Sequence, residues 1–243
     1  MKPKLDGAVD AFNRDVVLAK GYEYTTNGRL SSLIANRRQS DAILAAAQYQ
    51  GRKVLDIGCG DGTYTLQLYD EAGPAEMTGI DPATEAIKVA TMNKHERKIS
   101  FSVENAYQLP FADASFDIAV LRGVLHHMDT PIKAIQEALR VSRTIVILEP
   151  NGYNPVLKLI EKTSRYHIEH GEKSYPPCRL KRWIRSNGGQ VQKAIFIGLV
   201  PYFCPDWMAR ILRALTPLFE AIPLVRSIAC GNSVIVATRA PRQ

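Results

Sequence analysis

The sequence predicts an α/β protein built on a doubly wound, mostly parallel sheet with helices on both faces. Two observations carry this reading. Short apolar runs alternate with longer segments of helical character between residues 53 and 150. Strands that alternate with helices at this spacing are joined by right-handed crossovers, which makes the sheet parallel. The first run also stops at a cluster of glycines, as a buried strand does where a sheet of this kind meets a ligand.

The elements follow in order. Residues 9–48 read as helices with a break at Thr26-Asn27-Gly28, and the segment Ser31–Gln48 is rich in Leu, Ile and Ala. Lys53–Ile57 is the first strand and Thr63–Glu71 the helix after it. Met77–Ile80 is the second strand, ending on Asp81-Pro82, and Pro82–Asn93 is its helix. Ile99–Glu104 and Phe116–Leu121 are the third and fourth strands, Pro131–Val141 is a helix, and Thr144–Glu149 is the fifth strand. Val191–Leu199 and Ser233–Thr238 complete a set of seven. The inserts Asn154–Gly189 and Pro201–Gly231 are too irregular to be domains, so the chain reads as one domain: a helical segment 1–50, a core 51–152 and a C-terminal part 153–243.

Composition narrows the class. Of 243 residues 46% are hydrophobic and 23% charged, which fits one globular core. No apolar run approaches the roughly 18 residues of a membrane span, and the N-terminus has no signal-peptide pattern, so a cytoplasmic protein is expected. Cys59, Cys178, Cys204 and Cys230 are far apart and read as reduced thiols. The net charge of +7 is unevenly placed. Residues 1–150 hold 17 Lys and Arg against 19 Asp and Glu, whereas residues 151–243 hold 14 against 5. A basic last third is either a solvated surface or the footprint of an anionic partner.

The turn Val54-Leu55-Asp56-Ile57-Gly58-Cys59-Gly60-Asp61-Gly62-Thr63 joins the first strand to its helix. The dinucleotide fingerprint G-x-G-x-x-G needs a third glycine at position 63, where this chain has Thr63. Asp56 would repel a pyrophosphate and attract a cationic amino acid. Asp81, 21 residues after Gly60, stands where a ribose diol needs an acceptor, or else it caps the next helix.

These residues resemble the class I S-adenosylmethionine-dependent methyltransferases. V-L-D-I-G-C-G-D-G matches their signature, Gly79-Ile80-Asp81-Pro82 their second motif, Gln108–Asp117 the stretch before their fourth strand, and Val124-Leu125-His126-His127-Met128 the segment after it. The order and spacing hold over roughly residues 50–150, and the branch is similar to quinone-biosynthesis and other small-molecule enzymes. The resemblance implies a Rossmann-like seven-stranded sheet, S-adenosylmethionine as cofactor and S-adenosylhomocysteine as product. It implies that Gly58, Cys59 and Gly60 pack on the cofactor and that Asp56 faces its methionine end. Asp81 would bond the ribose, Asn105 and Ala106 would lie by the adenine, and the Leu121-Arg122 backbone would approach the methionine. Pro82 and Leu125 would be apolar neighbours. Related enzymes also fold an N-terminal segment over the cofactor, which here contains Tyr22, Tyr24 and Arg37. Arg37 would then meet a carboxylate bidentately, while Arg38 reads as a surface residue.

Methyl transfer from a sulfonium is an in-line displacement, so alignment supplies much of the rate. A base is needed where the acceptor keeps its proton, and His126 and His127 are the candidates, either as base or as backbone-bonding residues. Some quinone-pathway relatives bind a metal here through two acids and a histidine; Gly123, His126 and His127 offer no such set, so no metal is expected. Glu149 or Asn151 either orients the acceptor or bonds a nearby loop. The polar segment Tyr166–Glu172 is a candidate lining for the acceptor pocket, and its His167 and His170 have a spacing that can also bind metal, a weak signal on an unassigned loop. Trp207–Ala229, with Arg210, Arg213 and Arg226, is either a basic amphipathic membrane contact or a cap with its apolar face buried. The expected acceptor is a small molecule, a hydroxyl on a glycan, lipid-linked or phenolic group, and anionic character suits the basic tail. An RNA methyltransferase is the alternative, but Leu121-Arg122-Gly123-Val124 stands where a base-methylating tetrad would lie. A non-catalytic cofactor-binding partner protein is the other.

Overall fold

Burial explains which strands form the middle of the sheet. In a computed structural model that describes residues 9, 13, 16, 25, 28–164, 173–202 and 204–240, Leu55, Ile57, Ala119 and Leu121 are completely enclosed. They lie on β1 (Lys53–Ile57) and β4 (Phe116–Arg122), two adjacent parallel strands. β2 (Glu76–Asp81) and β3 (Ile99–Val103) extend one side, and β5 (Ser142–Pro150), β7 (Asn232–Arg239) and β6 (Gly189–Ile197) the other. The order is β3-β2-β1-β4-β5-β7-β6. β1 to β5 are parallel, and β7 is antiparallel to both β5 and β6. Strand order reverses between β1 and β4, and a parallel sheet opens its ligand crevice there, at the carboxyl ends.

Side-chain alternation assigns the two faces. Val54, Val120, Val146 and Val234 pack under α1 (Leu30–Leu44) and α2 (Thr63–Ala72). Leu55, Leu121, Ile145 and Ile235 point the other way, with residues of α4 (Pro131–Val141) and α6 (Pro177–Ser186). α3 (Thr84–Asn93) rests on β2 and β3. α5 (Pro155–Thr163) follows β5, while α7 (Asp206–Ala221) and α8 (Pro223–Ala229) connect β6 to β7. Local chemistry sets the boundaries. Gly73 ends α2 in a left-handed conformation. Pro131 and Pro155 open α4 and α5, and the Asn154 side chain accepts from the amides of Val156 and Leu157.

All seven expected strands are present, each within about two residues of its expected limits. α1 is shorter than expected: it stops at Leu44, and the chain turns so that Tyr49 is buried with its hydroxyl donated to the Ile43 carbonyl at 3.0 Å. The two C-terminal inserts resolve into α5 to α8. Tyr22, Tyr24 and the segment Tyr166–Glu172, with His167 and His170, lie outside the described residues. Among the described residues no helix is long and apolar enough to cross a membrane.

Arg140, at the end of α4, fastens the chain between β3 and β4. Its guanidinium donates to the carbonyls of Leu109 (2.9 Å) and Phe111 (2.7 Å) and to Glu137 and Asp113. Glu137 in turn accepts from the Leu109 amide at 2.7 Å. Arg140→Gln is expected to lower unfolding stability by about 1–3 kcal/mol, read from the denaturant midpoint. Arg140→Lys should rescue little, because an ammonium lacks the planar fork these acceptors require.

Candidate functional site

The glycine turn lies over the ends of β1 and β2. The Gly58 and Cys59 amides both donate to the Ile80 carbonyl, at 2.7 and 3.0 Å, which ties the turn to the second strand. Gly58 has φ +77, and a Cβ there would stand 2.4 Å from a methyl of Val124. Both the backbone twist and the close approach of the segment after β4 therefore require glycine.

Two carboxyls are buried beside this turn. Asp81 accepts from the Gly60 amide at 3.0 Å and the Ala83 amide at 2.8 Å. It is thus bonded to the turn as well as to the start of α3, and it is not the N-cap, a place taken by Ala83. Asp56 accepts from the Thr65 hydroxyl at 2.6 Å. Burial pushes both carboxyls up to about 6; Thr65 and Arg122 oppose the rise at Asp56, and the Ala83 and Gly60 amides oppose it at Asp81. A carboxylate has about four acceptor positions, so two amides leave Asp81 with capacity for hydroxyl donors.

Asp61, which the sequence reading did not single out, occupies the start of α2. It accepts from the Thr63 amide at 3.0 Å and from the Thr25 hydroxyl at 2.7 Å. A negative side chain already sits where a pyrophosphate would need the helix N-terminus. Cys59 is buried against Gly79. Burial first, then the nearby Asp81 and Asp56, push its thiol well up, so it stays protonated and is no nucleophile.

Arg122 closes the crevice from the β4 side. Its guanidinium lies 3.5 Å over the Tyr64 ring and donates to Ser40 (2.8 Å) and the Asn36 carbonyl (3.2 Å) of α1. The same face of α1 bonds Tyr202, which accepts from Gln39 and donates to Asn36, both at 2.8 Å. Asp56, Tyr64, Arg122 and Ser40 line one small cavity here. The polar face of α1 was invisible as a site feature because Ser31, Ser32, Gln39 and Ser40 look like solvent-facing residues, yet all four are buried.

Glu149 organises the segment after β4. Completely enclosed, it accepts from the amides of Val124 (2.8 Å), Leu125 (2.7 Å) and His126 (3.2 Å) and contacts Nδ1 of His126 at 2.8 Å. Its oxygens are therefore committed to the loop and not to orienting an acceptor. Asn151 is likewise committed, donating to Ser227 and Cys230 carbonyls and accepting from the Tyr153 amide. His126 is buried, and His127 packs beside it with ring centroids 3.9 Å apart.

The remaining expected residues are placed as follows. Asn105 is exposed and bonds the Tyr107 amide, and Ala106 is buried; both follow β3, whose next amide, Glu104, donates to the Asp81 carbonyl. Pro82 is half-buried beside Asp81. Leu121 and Leu125 are enclosed in the core. The expected roles of Arg37 and Arg38 are exchanged. Arg37 pairs on the surface with Asp41 and Glu71, while Arg38 makes the two-pronged contact with a carboxylate, Glu220 of α7. Among the described residues no three His, Cys, Asp or Glu side chains are grouped to hold a metal.

The raised carboxyls set a pH dependence of stability. The folded state holds the Asp56 proton up to about pH 6, whereas the unfolded chain loses it near pH 4, so stability falls as pH rises between those values. Asp56→Asn removes this loss and keeps an acceptor for Thr65. It should stabilise the ligand-free protein by about 2–3 kcal/mol at pH 7.5 and by little at pH 4, as measured by urea unfolding.

Comparison with known proteins agrees with this geometry. The methyltransferase domain family model matches residues 55–148. An uncharacterized methyltransferase of Schizosaccharomyces pombe is 33% identical over 110 residues, 42% of this chain and 37% of that protein. An O-methyltransferase of Penicillium expansum, cnsE, is 30% identical over 139 residues, 53% of this chain and 49% of that protein. The chain thus spans less than half the length of these relatives. A Haloferax volcanii chain solved in complex with a methyltransferase activator superposes with a TM-score of 0.66 over 95% of this chain and 98% of its own, at 19% identity, and shares the fold. Residues 55–148 match the methyltransferase domain family, and that match together with the shared fold supports the class I S-adenosylmethionine-dependent methyltransferase superfamily.

Proposed function

We propose that the protein transfers a methyl group from S-adenosylmethionine to a hydroxyl of a small-molecule acceptor. The observation that carries this reading is the pair of buried carboxyls, Asp56 and Asp81, at the carboxyl ends of adjacent strands around a turn that only glycine can make. S-adenosylmethionine, when bound, supplies a methyl group activated by a sulfonium. Asp81 holds the ribose through its unused acceptor positions, and Asp56 attracts the cationic methionine end. Gly58, Cys59 and Gly60 give the backbone its close approach. Asn105 and Ala106 border the adenine beside Pro82, and the Leu121-Arg122 backbone borders the methionine. The described N-terminal residues Asn13, Val16 and Thr25 contact this side. Thr25 bonds Asp61, the Asn13 side chain accepts from the Glu85 amide at 3.1 Å, and Val16 is buried with Ala83 and Ala86.

His126 is the proposed base, with His127 as its neighbour. With Nδ1–H donated to Glu149, His126 presents Nε2 as an acceptor for the hydroxyl proton. The anionic Glu149 favours the imidazolium that forms, which makes it a positioning residue. The O-methyltransferase relative supports a hydroxyl acceptor.

Asp81→Ala should raise the Kd for S-adenosylmethionine at least about ten-fold, measured by calorimetry; unchanged affinity removes its ribose role. His126→Ala should leave that Kd intact and cut turnover by about 100-fold or more. Unchanged turnover in His126→Ala, with loss in His127→Ala, transfers the role to the second histidine. Glu149→Gln should shift the acidic limb of the kcat/KM profile to lower pH, because a neutral partner favours the imidazolium less; a fall in rate with an unmoved limb would reduce Glu149 to a loop fastener.

A further inference from the structure

Helices α5, α7 and α8 all stand at the carboxyl end of the sheet, the end that bears the crevice. Pro150 at the end of β5 pairs with Asn232 of β7, and Asn232 pairs with Ile197 at the end of β6. Arg122 at the end of β4 pairs with Leu148 on the same margin. α5 leaves this margin from β5, and α7 and α8 fill the connection from Ile197 to Asn232. Hydrogen bonds tie the group to itself and to α1. Asn154, the N-cap of α5, donates to the Ala229 carbonyl of α8 at 3.1 Å, and Glu220 of α7 is gripped by Arg38 of α1.

The apolar side of this group faces outward. On α7, Trp207, Ile211, Leu215 and Leu218 recur at helical spacing, within about 80° of one another, and all four are exposed. Trp207 is 65% exposed and Leu224 of α8 is 74% exposed. Ile228 on α8 and Val156 and Leu159 on α5 are exposed as well. On the inward side of α7, Ala209 and Thr216 are buried and Leu212 and Phe219 are half-buried. Neither α5 nor α8 has one fully buried residue. Of the two uses open to this stretch, the exposure of Trp207, Ile211, Leu215 and Leu218 favours the surface contact. Exposed apolar stripes of this extent mark a contact surface.

Charge selects the occupant. Arg210 and Arg213 are exposed on α7, and α5, α7 and α8 together carry Lys158, Lys162, Arg210, Arg213 and Arg226 against Glu161, Asp206 and Glu220, of which Glu161 is paired with Lys158 and Glu220 with Arg38. Two copies meeting through this face would bring like charges together, whereas an anionic bilayer attracts them. Tryptophan with leucine and isoleucine on one face and arginine beside them suits the headgroup boundary. We infer that the outer face of α5, α7 and α8 docks the protein on an anionic lipid surface with the crevice margin toward the bilayer, so that the methyl acceptor is an amphiphile held in that surface. Docking stands on the helices alone; the acceptor rests on the methyl-transfer reading above.

The test uses the full chain with phosphatidylcholine vesicles made with and without phosphatidylglycerol. The protein should co-sediment with the anionic vesicles, less so at high salt, and its emission should shift to the blue; Trp207→Phe should abolish that shift, since Trp183 packs inside against Tyr175. The double variant Leu218→Asp, Leu224→Asp should bind these vesicles at least about ten-fold more weakly while keeping the wild-type Kd for S-adenosylmethionine in vesicle-free buffer. Equal sedimentation of variant and wild type overturns docking. So does a dimer in solution that the double variant dissociates, which gives the face to a second copy, and so does a Trp207 shielded from a water-soluble quencher before vesicles are added. Labelled methyl from S-adenosylmethionine entering the lipid phase of a membrane extract supports the amphiphilic acceptor; label confined to water-soluble products overturns that half and leaves docking in place. Loss of S-adenosylmethionine binding by the wild type would overturn the methyl-transfer reading and not the docking.

Discussion

The structure depends on the burial of two carboxyl groups at the ends of neighbouring parallel strands. Asp56 and Asp81 are enclosed by the same turn that brings the chain from β1 into α2. Enclosure costs the fold free energy, because each group is held near a pKa of about 6 where water would leave it near 4. Sheet packing alone does not require acids at these two positions, although Asp81 also satisfies the Gly60 and Ala83 amides and Asp56 the Thr65 hydroxyl. A cation and a pair of hydroxyls arriving from outside would repay the penalty, which is the arrangement expected of a preorganised site with few water molecules.

Around this centre the polar residues are already occupied. Arg122 faces Asp56 but is itself held by Tyr64, Ser40 and Asn36, so its position does not depend on a ligand. Glu149 spends its oxygens on three consecutive amides and one imidazole. That commitment fixes the short turn Leu125–His127 and with it the direction of His126. Gly58 lets the Val124 side chain close against the first turn, so the segments after β1 and β4 move as one wall. Under the proposed function, this packing relates the histidines to the carboxylates, as alignment of two reactants demands.

Much of this was legible in the sequence because it rests on local rules. Buried parallel strands are near-continuous apolar runs, and β1, β2, β4 and β5 were readable from that signal; the antiparallel β6 and β7 were readable as short runs rich in β-branched residues. The glycine turn and the acid after β2 were readable from order and spacing. What escaped were features set by partners far along the chain. Arg37 and Arg38 are adjacent and chemically identical; only Glu220, 182 residues away, gives Arg38 the two-pronged bond. Glu149 and Asn151 each had two possible uses, and the pairing of β5 with β4 and β7 decided for the loops. The periodicity of α7 revealed a stripe but not the side on which the core lies. Ser40 and Gln39 carry no signal of burial at all, since their role exists only once β4 delivers Arg122 beneath α1.

The most direct test of the carboxylate-centred site is calorimetric titration with S-adenosylmethionine between pH 5 and pH 7, with NAD as the contrasting ligand. A cation binds the ionised form of Asp56, so affinity should rise with pH through about 6, with proton release on binding in the lower half of the range. In Asp56→Asn that dependence should flatten, leaving the smaller contribution of Asp81. Binding of NAD without S-adenosylmethionine, or a wild-type affinity for S-adenosylmethionine that does not change across this range, would contradict the account.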